Sequence, residues 1–302
     1  MARRPASPAA CDTIIAVTRI LGILNLTHDS FSDGGRCLAP AAALEHAAGL
    51  RRDGADIIDV GAESTHPDSE DVSADEELRR LEPVVGALLA EAATVSIDTS
   101  KPAVMRRMAA LGATWLNDVN GFRAAGAIDA AAECRANLIV MHSVWSDMDK
   151  ASSSPRARRA ASDPTVIVDR ILEFFDERVT TLQRAGVACD RIVLDPGMGF
   201  FLGDSPVASL NVLAGIPRLL EFGFPLCVCT SRKSFIGAVL ATDGAPQPVS
   251  QRGAGTLATE MWCIQHGVAF IRTHDVRPLR LALRMFAAIR AAADPSGLPP
   301  AK

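Results

Sequence analysis

The sequence predicts a (β/α)8 TIM barrel on three observations: the order of its segments, the character of its strands and its length. Apolar runs of strand length recur eight times in 302 residues, with helical patterns between most of them. This alternation predicts parallel strands joined by helical crossovers, and runs that are apolar throughout are typical of strands covered on both faces. Eight units in about 260 residues fit one closed barrel. We therefore expect a single domain over residues 13–294, between flexible segments over 1–12 and 295–302.

The strand segments, in chain order, are RILGILNL, DIIDVG, TVSIDTS, TWLNDV, NLIVMHS, RIVLDPG, PLCVCTS and AFIRTHD. The helical patterns are PAAALEHAAGLRRDGA, SADEELRRLEPVVGALLAEAA, KPAVMRRMAALGA, DPTVIVDRILEFFDERVTTLQRAGV, VASLNVLAGIPRLLEFG, QRGAGTLATEMWCIQHGV and VRPLRLALRMFAAIRAAA. Ser73, three residues before Glu76, predicts a capping box, and Gly112 predicts a helix end. An open doubly wound sheet is the alternative, but no GxGxxG follows the first strand.

Composition and charge narrow the class of protein. Apolar residues make up 48% and charged residues 22% of the chain, as in ordinary globular proteins. The net charge is −4 and no basic stripe with aromatic residues occurs, so nucleic acid is not an expected partner. No stretch approaches the length of a membrane span, and no signal peptide is predicted. The seven cysteines lack metal-type spacing, which favours reduced thiols and a cytoplasmic location.

Every predicted strand ends in hydrogen-bonding or charged side chains. These residues are Asn25, Asp59 with Glu63, Asp98, Asn117, His142, Asp195, Ser231 to Lys233, and Arg272 with His274. In a (β/α)8 barrel the carboxyl ends of the strands meet at one face, where active sites are built. A single Asp or Asn at such a position is usually a turn or cap residue. Eight such ends, acidic and basic together, predict a polar site.

The residue types indicate a planar, nitrogen-rich ring as one ligand. Asp98, Asn117 and Asp195 suit a pterin or a guanine, because a carboxylate forms charge-assisted bonds with an amino-imine edge. The segment DPGMGF, which begins at Asp195, is either part of this site or a plain turn.

A second group of residues suits a diphosphate. Donors, and one oxygen ligand for Mg²⁺, come from Asn25, Arg272 and His274. The segment TSRKSFIGA predicts Arg232, Lys233 and Ser234 at a helix N-terminus, where anions bind well. Arg156, Arg158 and Arg159 form a further basic cluster, for which a solvated loop is favoured over an anion-binding lid.

The chain resembles the dihydropteroate synthase family in a series of motifs that run in order from about residue 19 to 290. They are ILGILNLTHDSFSDGGR, DIIDVGAESTHPDSE, VSIDTSKPAVM, LNDVNGF, VMHS, DPGMGF, TSRKSFIG and IRTHDV. The resemblance implies a (β/α)8 barrel that joins 6-hydroxymethyl-7,8-dihydropterin diphosphate to 4-aminobenzoate, giving dihydropteroate and diphosphate in folate biosynthesis. It also implies Mg²⁺ as the cofactor that helps to bind the diphosphate, and sulfonamides as mimics of aminobenzoate.

The resemblance also implies residue roles. The pterin would be held by Asp98, Asn117, Met141, Asp195 and Lys233. The diphosphate would be held by Asn25, Arg272 and His274, with Asn25 next to the metal. The aminobenzoate would be surrounded by Thr65, His66, Pro67, Phe200, Phe201, Lys233 and Ser234. The catalytic set would be Asp98, Asp195, Lys233, Arg272 and His274.

The sequence departs from the family pattern at several positions. They are His28 for proline, Ala62, His66 and Asp68 for glycine, arginine and glycine, and Phe201–Leu202 for glycine–lysine. A histidine in place of an arginine weakens anion contact at neutral pH, and Phe201 adds bulk beside the aminobenzoate site. These features resemble sulfonamide-resistant forms of the enzyme, or a chromosomal relative of them, and predict reduced sulfonamide sensitivity.

Two other functions stay open at this point. A methyltransferase that uses methyltetrahydrofolate would share the pterin-holding residues, but it has less reason to keep SRKSF and RTHD. A pterin-binding paralogue without catalysis is suggested by His28 and His66, although the other site residues argue against it. A homodimer is expected, since the family is often dimeric and the segments LATEMWCIQHG and LRLALRMFAAIRA are apolar enough to bury a second face.

Overall fold

The computed structural model of the chain describes residues 18–26, 40–64, 71–144 and 163–293. The expected flexible segments over 1–12 and 295–302 lie outside these ranges, so the domain bounds stay predictions. The strands are β1 (Arg19–Asn25), β2 (Ile57–Gly61), β3 (Val95–Asp98), β4 (Trp115–Asp118), β5 (Asn137–Met141), β6 (Ile192–Asp195), β7 (Cys227–Val228) and β8 (Phe270–Thr273).

The eight strands form one parallel sheet in the order β6-β5-β4-β3-β2-β1-β8-β7. A parallel bridge between Leu194 and Leu226 joins the two ends of this order. The Leu194 N–H also donates to the Pro225 carbonyl at 3.0 Å. The sheet therefore closes on itself, and the predicted (β/α)8 barrel is confirmed.

Helices connect consecutive strands on the outside of the barrel. Within the described residues they are α1 (Pro40–Arg52), α2 (Ala74–Ala90), α3 (Pro102–Leu111), α4 (Ala127–Glu133), α5 (Ile167–Arg184), α6 (Pro206–Ala214), α7 (Ile216–Leu220), α8 (Ser234–Val239), α9 (Gly253–Gln265) and α10 (Val276–Ala293). None of them combines the length and apolar character that a crossing of a membrane requires.

Most helix signals in the sequence act as expected. The Ser73 hydroxyl accepts the Glu76 N–H at 3.2 Å at the start of α2, and Gly112 ends α3 with φ = 121°. The second half of the predicted capping box does not form, because the Glu76 carboxylate accepts from Arg79 and Arg80 instead. The sequence patterns missed α4, which is seven residues long. Its buried side chains are all alanines, and such small residues give little helical periodicity for a pattern to detect.

The segment VASLNVLAGIPRLLEFG forms two helices, α6 and α7, where the sequence indicated one pattern. Pro217 has no N–H, so the carbonyl of Leu213 lacks its ordinary helical donor four residues later. The indole Nε1 of Trp262 donates to this carbonyl at 2.9 Å. A side chain from α9 therefore supplies the hydrogen bond that the proline removes.

Side chains alternate between the inside and the outside of the barrel along each strand. One inner layer is apolar and consists of Leu21, Ile57, Trp115, Ile139, Val193, Cys227 and Phe270. The Arg19 guanidinium lies over the rings of Trp115 and Phe270, at 5.6 and 5.8 Å from their centroids. The outward-facing residues pack with the helices into a second, larger core.

The next inner positions carry the polar residues of the sequence analysis. On β3, Ser96 lies at the level of the apolar layer, beside Trp115. The residues two positions beyond this layer are Asp59, Asp98, Asn117, Met141, Asp195, Cys229 and Arg272. Asn25 lies four residues beyond Leu21 on β1. The period of two in the strands therefore gathers these side chains inside the barrel, at its carboxyl end.

Candidate active site

A cavity of about 320 Å³ lies at the carboxyl ends of the strands. It is lined by Ile23, Asn25, Glu63, Ser64, Asp98, Cys229, Ser231, Arg232, Lys233, Val249, Arg272 and His274. Five of the residues predicted to bind substrate are therefore in its wall: Asn25, Asp98, Lys233, Arg272 and His274.

Arg272 lies between two carboxylates. Its Nε donates to Asp59 Oδ2 at 2.5 Å, and its Nη2 donates to Asp98 Oδ2 at 2.6 Å. Its Nη1 is 3.9 Å from the sulfur of Cys229. A guanidinium keeps its charge in any protein, so Arg272 balances charge on two acids that the barrel has removed from water. Its remaining N–H groups, on Nη1 and Nη2, are available to an anion.

Asp59 is a site residue to which the sequence analysis gave no role. It is fully buried, and its Oδ2 accepts the Asn117 side-chain N–H at 3.2 Å in addition to the Arg272 bond. Its Oδ1 has no hydrogen-bond partner among the described residues. A carboxylate in the middle of an apolar strand needs a cation or hydrogen-bond donors. The position of Asp59 within an apolar run was therefore the sequence signal that could have identified it as a site residue. Asp59 thus connects Asn117, Arg272 and, through Arg272, Asp98.

Burial raises the pKa of two acids at the site. The pKa of Asp98 rises to about 7, because the loss of water, aided by the negative charge of Asp59, outweighs the attraction of Arg272. Burial raises the pKa of Asp195 to about 6, opposed by the Gly197 N–H and by Lys233. The Gly197 N–H donates to Asp195 Oδ1 at 2.7 Å. Near neutral pH both carboxyl groups are therefore close to the point of exchanging a proton.

The segment DPGMGF is a tight turn that orients Asp195. Gly197 has φ = 71°, and a Cβ at this position would lie 2.3 Å from the His142 carbonyl oxygen. Only glycine can occupy such a conformation at such a distance. The prediction that this segment is a turn is confirmed. The turn also contributes to the site, because its Gly197 N–H donates to the Asp195 carboxylate.

Phe201 follows this turn and packs inward. It is buried in a small apolar cluster with Val119 and Met141, against which Phe200 also packs. The Lys233 ammonium lies 4.9 Å from the centroid of the Phe201 ring. The bulk that Phe201 adds is therefore next to Lys233, and its place beside an aminobenzoate site stays a prediction.

Lys233 and Ser234 lie at the start of a helix, as predicted. Lys233 is the N-cap residue of α8, and Ser234 is its first residue. Arg232, in contrast, is engaged elsewhere: its guanidinium donates to both oxygens of Asp275, at 2.5 and 3.2 Å. Its backbone adopts φ = 57°, in the left-handed region. The helix itself has only six residues.

His274 is held by Ser231. The Ser231 oxygen accepts the His274 backbone N–H at 3.1 Å and lies 3.1 Å from Nδ1 of the ring. Burial lowers the pKa of His274 to about 3, and the nearby charges of Arg272 and Arg232 act in the same direction. The ring is therefore neutral over the physiological range. A Ser231 hydroxyl that donates to Nδ1 favours the tautomer with its proton on Nε2.

The expectation that all eight strand ends converge is wrong for His142. Its side chain packs outside the barrel against Phe174 of α5, with a ring-centroid distance of 5.2 Å. Its Nδ1 lies 3.2 Å from the Pro196 carbonyl, and burial lowers its pKa to about 4. The reason is parity, because His142 follows the inward-facing Met141 by one residue.

Several predicted residues lie outside the described ranges. They are His28 of the first loop, Thr65, His66, Pro67 and Asp68 of the second, and the cluster Arg156, Arg158 and Arg159. Their predicted roles are neither supported nor contradicted by the structure.

The chain matches known proteins over most of its length. The sequence pattern described as "Pterin binding enzyme" matches residues 21–274. The dihydropteroate synthase type-2 of Escherichia coli is 45% identical over 90% of this chain and 96% of its own. The Xanthomonas albilineans dihydropteroate synthase with 4-aminobenzoic acid has a TM-score of 0.81 at 37% identity, covering 92% of this chain and 94% of that one. Its structure with 7,8-dihydropteroate has a TM-score of 0.78 at 36% identity, over 92% and 95% of the two chains.

The chain belongs to the family of pterin-binding enzymes. Its closed (β/α)8 barrel, with buried acids that share an arginine at the carboxyl end, is the scaffold of its site. Within the family it is similar to the dihydropteroate synthases at the levels of both sequence and structure. Its activity is of this type: it is a transferase of folate biosynthesis.

We expect the Asp59→Asn variant to lower the free energy of unfolding by about 3 kcal/mol, because it removes one partner of a buried ion pair. Urea denaturation would measure this through the midpoint and slope. The matched control is Asp169→Asn, which removes an exposed pair with Arg218 (2.5 Å), and we expect a loss of about 0.5 kcal/mol or less. Equal losses in the two variants would contradict a special role for Asp59.

We expect the Asp98 carboxyl to titrate near pH 7 and that of Asp195 near pH 6 in the free protein, as measured by carbon NMR of the side-chain carboxyl groups. The sign follows from burial, which disfavours the charged form and raises the pKa. In Asp59→Asn the pKa of Asp98 should fall, because a like charge is gone. The exposed Asp163, whose pKa is lowered by hydrogen bonds from Thr165, is the internal control. Titration of Asp98 and Asp163 over the same pH range would refute the assignment.

Proposed function

We propose that the cavity binds 6-hydroxymethyl-7,8-dihydropterin diphosphate and 4-aminobenzoate and joins them, releasing diphosphate. The observation that carries the proposal is the buried arrangement of Arg272, Asp59, Asp98 and Asn117 at the carboxyl end of the barrel. This arrangement offers carboxylates for hydrogen bonds to a pterin ring in the same site as a guanidinium for its diphosphate.

The pterin ring would lie against Asp98, Asn117 and Asp195. Asp98 uses Oδ2 for Arg272, and its second oxygen can accept from the ring. Asp195 likewise uses Oδ1 for Gly197 and has Oδ2 for the substrate. Met141 would pack on the face of the ring, because it belongs to the apolar cluster with Val119 and Phe201. Lys233 completes this part of the site with its ammonium.

The diphosphate would contact Asn25, Arg272 and His274, which all line the cavity. Arg272 brings N–H groups that the two carboxylates do not use. A neutral His274 with its proton on Nε2 would donate a hydrogen bond without adding charge. Charged hydrogen bonds of this kind contribute roughly 1.5–3 kcal/mol each.

The oxygen donors of the site fit Mg²⁺ that enters with the diphosphate. Mg²⁺ keeps several waters and is often bound through one or two protein oxygens plus substrate phosphates. The side-chain oxygen of Asn25 fits this pattern. No group of three or more metal-binding side chains occurs in the described ranges, so a cage made of protein alone does not fit. When bound, the ion would neutralise charge on the leaving diphosphate.

The reaction needs no covalent bond to the protein. Cleavage of the C–O bond releases diphosphate and leaves positive charge at the pterin methylene. In their ionised forms Asp98 and Asp195 would supply negative charge against the pterin ring, over which the positive charge of the methylene is delocalised, and this lowers the barrier. The arylamine nitrogen then attacks the methylene carbon and loses a proton. Because this nitrogen is a weak nucleophile, its positioning accounts for much of the rate.

The aminobenzoate would lie between Phe200, Lys233 and Ser234 on one side and Thr65, His66 and Pro67 on the other. Phe201 supports reduced sulfonamide sensitivity, since its ring takes up space beside Lys233. A drug larger than aminobenzoate would meet this bulk first. The altered second loop is the other reason for this part of the proposal.

The first experiment measures diphosphate release from the pterin diphosphate with Mg²⁺, with and without aminobenzoate. We expect release only in the presence of aminobenzoate, with dihydropteroate as the second product. Tight pterin binding without release would indicate a binding-only relative. Transfer of a methyl group from methyltetrahydrofolate would indicate the methyltransferase.

The same assay, repeated over a range of sulfonamide concentrations, tests the proposed reduction in sulfonamide sensitivity. We expect an inhibition constant at least about tenfold above that of the Xanthomonas albilineans enzyme assayed alongside, corresponding to about 1.4 kcal/mol of lost drug binding. An inhibition constant no higher than that of this relative would sink the sensitivity proposal while leaving the activity intact.

We also propose that the protein forms a homodimer through α9 and α10. Large apolar side chains are exposed there: Trp262, Leu281, Met285 and Ile289. The last three are spaced by four residues and form one stripe along α10. Such a stripe on two neighbouring helices is typical of an interface.

We expect Met285→Glu to weaken dimerisation at least about 100-fold, because it would bury an unpaired charge at the centre of the stripe. Sedimentation over a range of concentrations would measure this. Leu111→Glu changes an exposed leucine on α3 and serves as the control. A monomeric wild-type protein, or an unchanged dimer in Met285→Glu, would contradict the proposed interface.

A further inference from the structure

Two loops of the cavity wall are joined by an ion pair that has no role in the reaction proposed above. The Arg232 guanidinium donates to both oxygens of Asp275, from Nη2 at 2.5 Å and from Nε at 3.2 Å. Arg232 lies between β7 and α8, and Asp275 lies between β8 and α10. The exposed fractions of the two side chains are 43% and 23%. We refer to this contact as the Arg232–Asp275 pair.

A second contact joins the same two loops, one residue earlier in each of them. The Ser231 oxygen accepts the backbone N–H of His274 and lies 3.1 Å from Nδ1 of its ring. Both of these residues line the cavity. The Arg232–Asp275 pair is therefore the more exposed of two neighbouring bridges, and the other bridge sets the orientation of the His274 ring.

The backbone of Arg232 is held in an unusual conformation. Its φ of 57° lies in the left-handed region, which is unfavourable for residues other than glycine. The Arg232 N–H donates to the Thr256 hydroxyl at 3.0 Å, and the Arg232 carbonyl accepts from Nη1 of Arg252 at 2.9 Å. Both partners belong to the start of α9, where Arg252 is the N-cap residue. Strained residues of this kind persist where neighbouring groups hold them, and they cluster at functional sites.

Helix α9 holds the other loop as well. The Thr273 hydroxyl donates to the buried carboxyl group of Glu260 and accepts the Asp275 N–H at 3.0 Å. Thr256, Glu260 and Thr273 are all buried. One helix therefore supports the backbone at both residues of the Arg232–Asp275 pair.

Stability alone does not account for this pair. Ion pairs at such exposure contribute little to the free energy of folding. A glycine at position 232 would adopt the positive φ without strain, yet the chain has an arginine there. What the arginine side chain adds is a fixed distance between the loops that carry Ser231 and His274.

We propose that Arg232 is a positioning residue, which acts through Asp275 to hold the His274 ring for the diphosphate of the substrate. This inference rests on the proposed function, because that function assigns the diphosphate in part to His274. Loss of the pair should weaken binding of the diphosphate group and leave binding of the pterin ring unchanged, since Asp98 and Asn117 belong to a different network.

The test removes each residue of the pair in turn, by Arg232→Met and by Asp275→Ala. The first substitution removes a positive charge and the second removes a negative one. A direct effect of charge on the diphosphate would therefore weaken its binding in Arg232→Met and strengthen it in Asp275→Ala, whereas loss of positioning weakens it in both. The matched control is Arg106→Met, because Arg106 donates to both oxygens of Glu133 at the surface and is 42% exposed.

The first measurement is hydrogen exchange of the His274 backbone amide in the free protein, with amides of the barrel strands as references. We expect exchange at least about tenfold faster in Arg232→Met and in Asp275→Ala, because the Ser231 acceptor of this amide is no longer held in place. In Arg106→Met the rate should stay within about twofold of wild type.

The second measurement is the Kd of 6-hydroxymethyl-7,8-dihydropterin diphosphate with Mg²⁺, beside the Kd of the same pterin without its diphosphate. We expect the first Kd to rise at least about tenfold in both variants of the pair and the second to stay within about twofold, since a hydrogen bond to a charged group is lost. Faster exchange with unchanged Kd values would overturn the role in diphosphate binding. Tighter binding in Asp275→Ala would attribute the effect to charge and overturn the positioning role.

A third variant covers the case in which Arg232→Met does not fold. Arg232→Gly removes the same side chain and accommodates the positive φ without strain. The same changes in exchange and Kd are expected, and wild-type values in this variant would overturn the inference. Exchange needs no substrate, so a wild-type protein that makes no dihydropteroate refutes the proposed function, whereas wild-type exchange rates in the variants refute the positioning role of Arg232.

Discussion

The site depends on the placement of Arg272 between Asp59 and Asp98. These carboxylates come from two neighbouring strands, and burying two carboxylates side by side is costly unless a cation pairs with them. Arg272 is suited to this position because its planar guanidinium offers N–H groups in several directions at a fixed geometry. It binds both acids and also lines the cavity. The hydrogen bond from Asn117 to Asp59 extends this network to β4.

The apolar layer beneath this network makes the arrangement possible. Trp115 and Phe270 have ring centroids 5.1 Å apart, and together with their neighbours they fill the barrel below the site. Water is therefore excluded from one side of Asp59, which strengthens its bonds to Arg272 and Asn117. The same exclusion raises the pKa of Asp98 and Asp195. The apolar layer thus both fills the barrel and raises the pKa of the acids above it.

Two ionic clusters that each contribute a residue to the cavity wall share one feature. Arg272 and Lys101 are each shared by two carboxylates, which for Lys101 belong to Glu63 and Glu77. Each cluster therefore has an excess of negative charge when its acids are ionised. This balance suits a reaction that develops positive charge at the pterin methylene. It is less suited to holding a diphosphate, and this is why the proposed function assigns the diphosphate to the donors of His274 and Arg272 and to a metal ion that enters with the substrate.

The sequence predicted much of the fold and of the site because both follow from short-range periodicity. The eight apolar runs specify eight parallel strands, and the residues that follow each run specify polar side chains at the carboxyl end. The apolar periodicity failed to predict two features of the helices that depend on tertiary contacts. The short helix α4 has only small alanines to bury, and Trp262, distant in sequence, completes the break between α6 and α7.

By itself, the sequence determined the barrel, the order of its elements and the chemical types at the strand ends, since these depend on local patterns of apolar, polar and glycine residues. Tertiary structure alone decided which of those residues meet. Strand parity turned His142 outward and Asp59 inward. Asp59 and Arg272 are far apart along the chain and become partners only because β1 pairs with β2 on one side and with β8 on the other. Lys101 and Glu77 likewise meet only when α2 and α3 pack side by side.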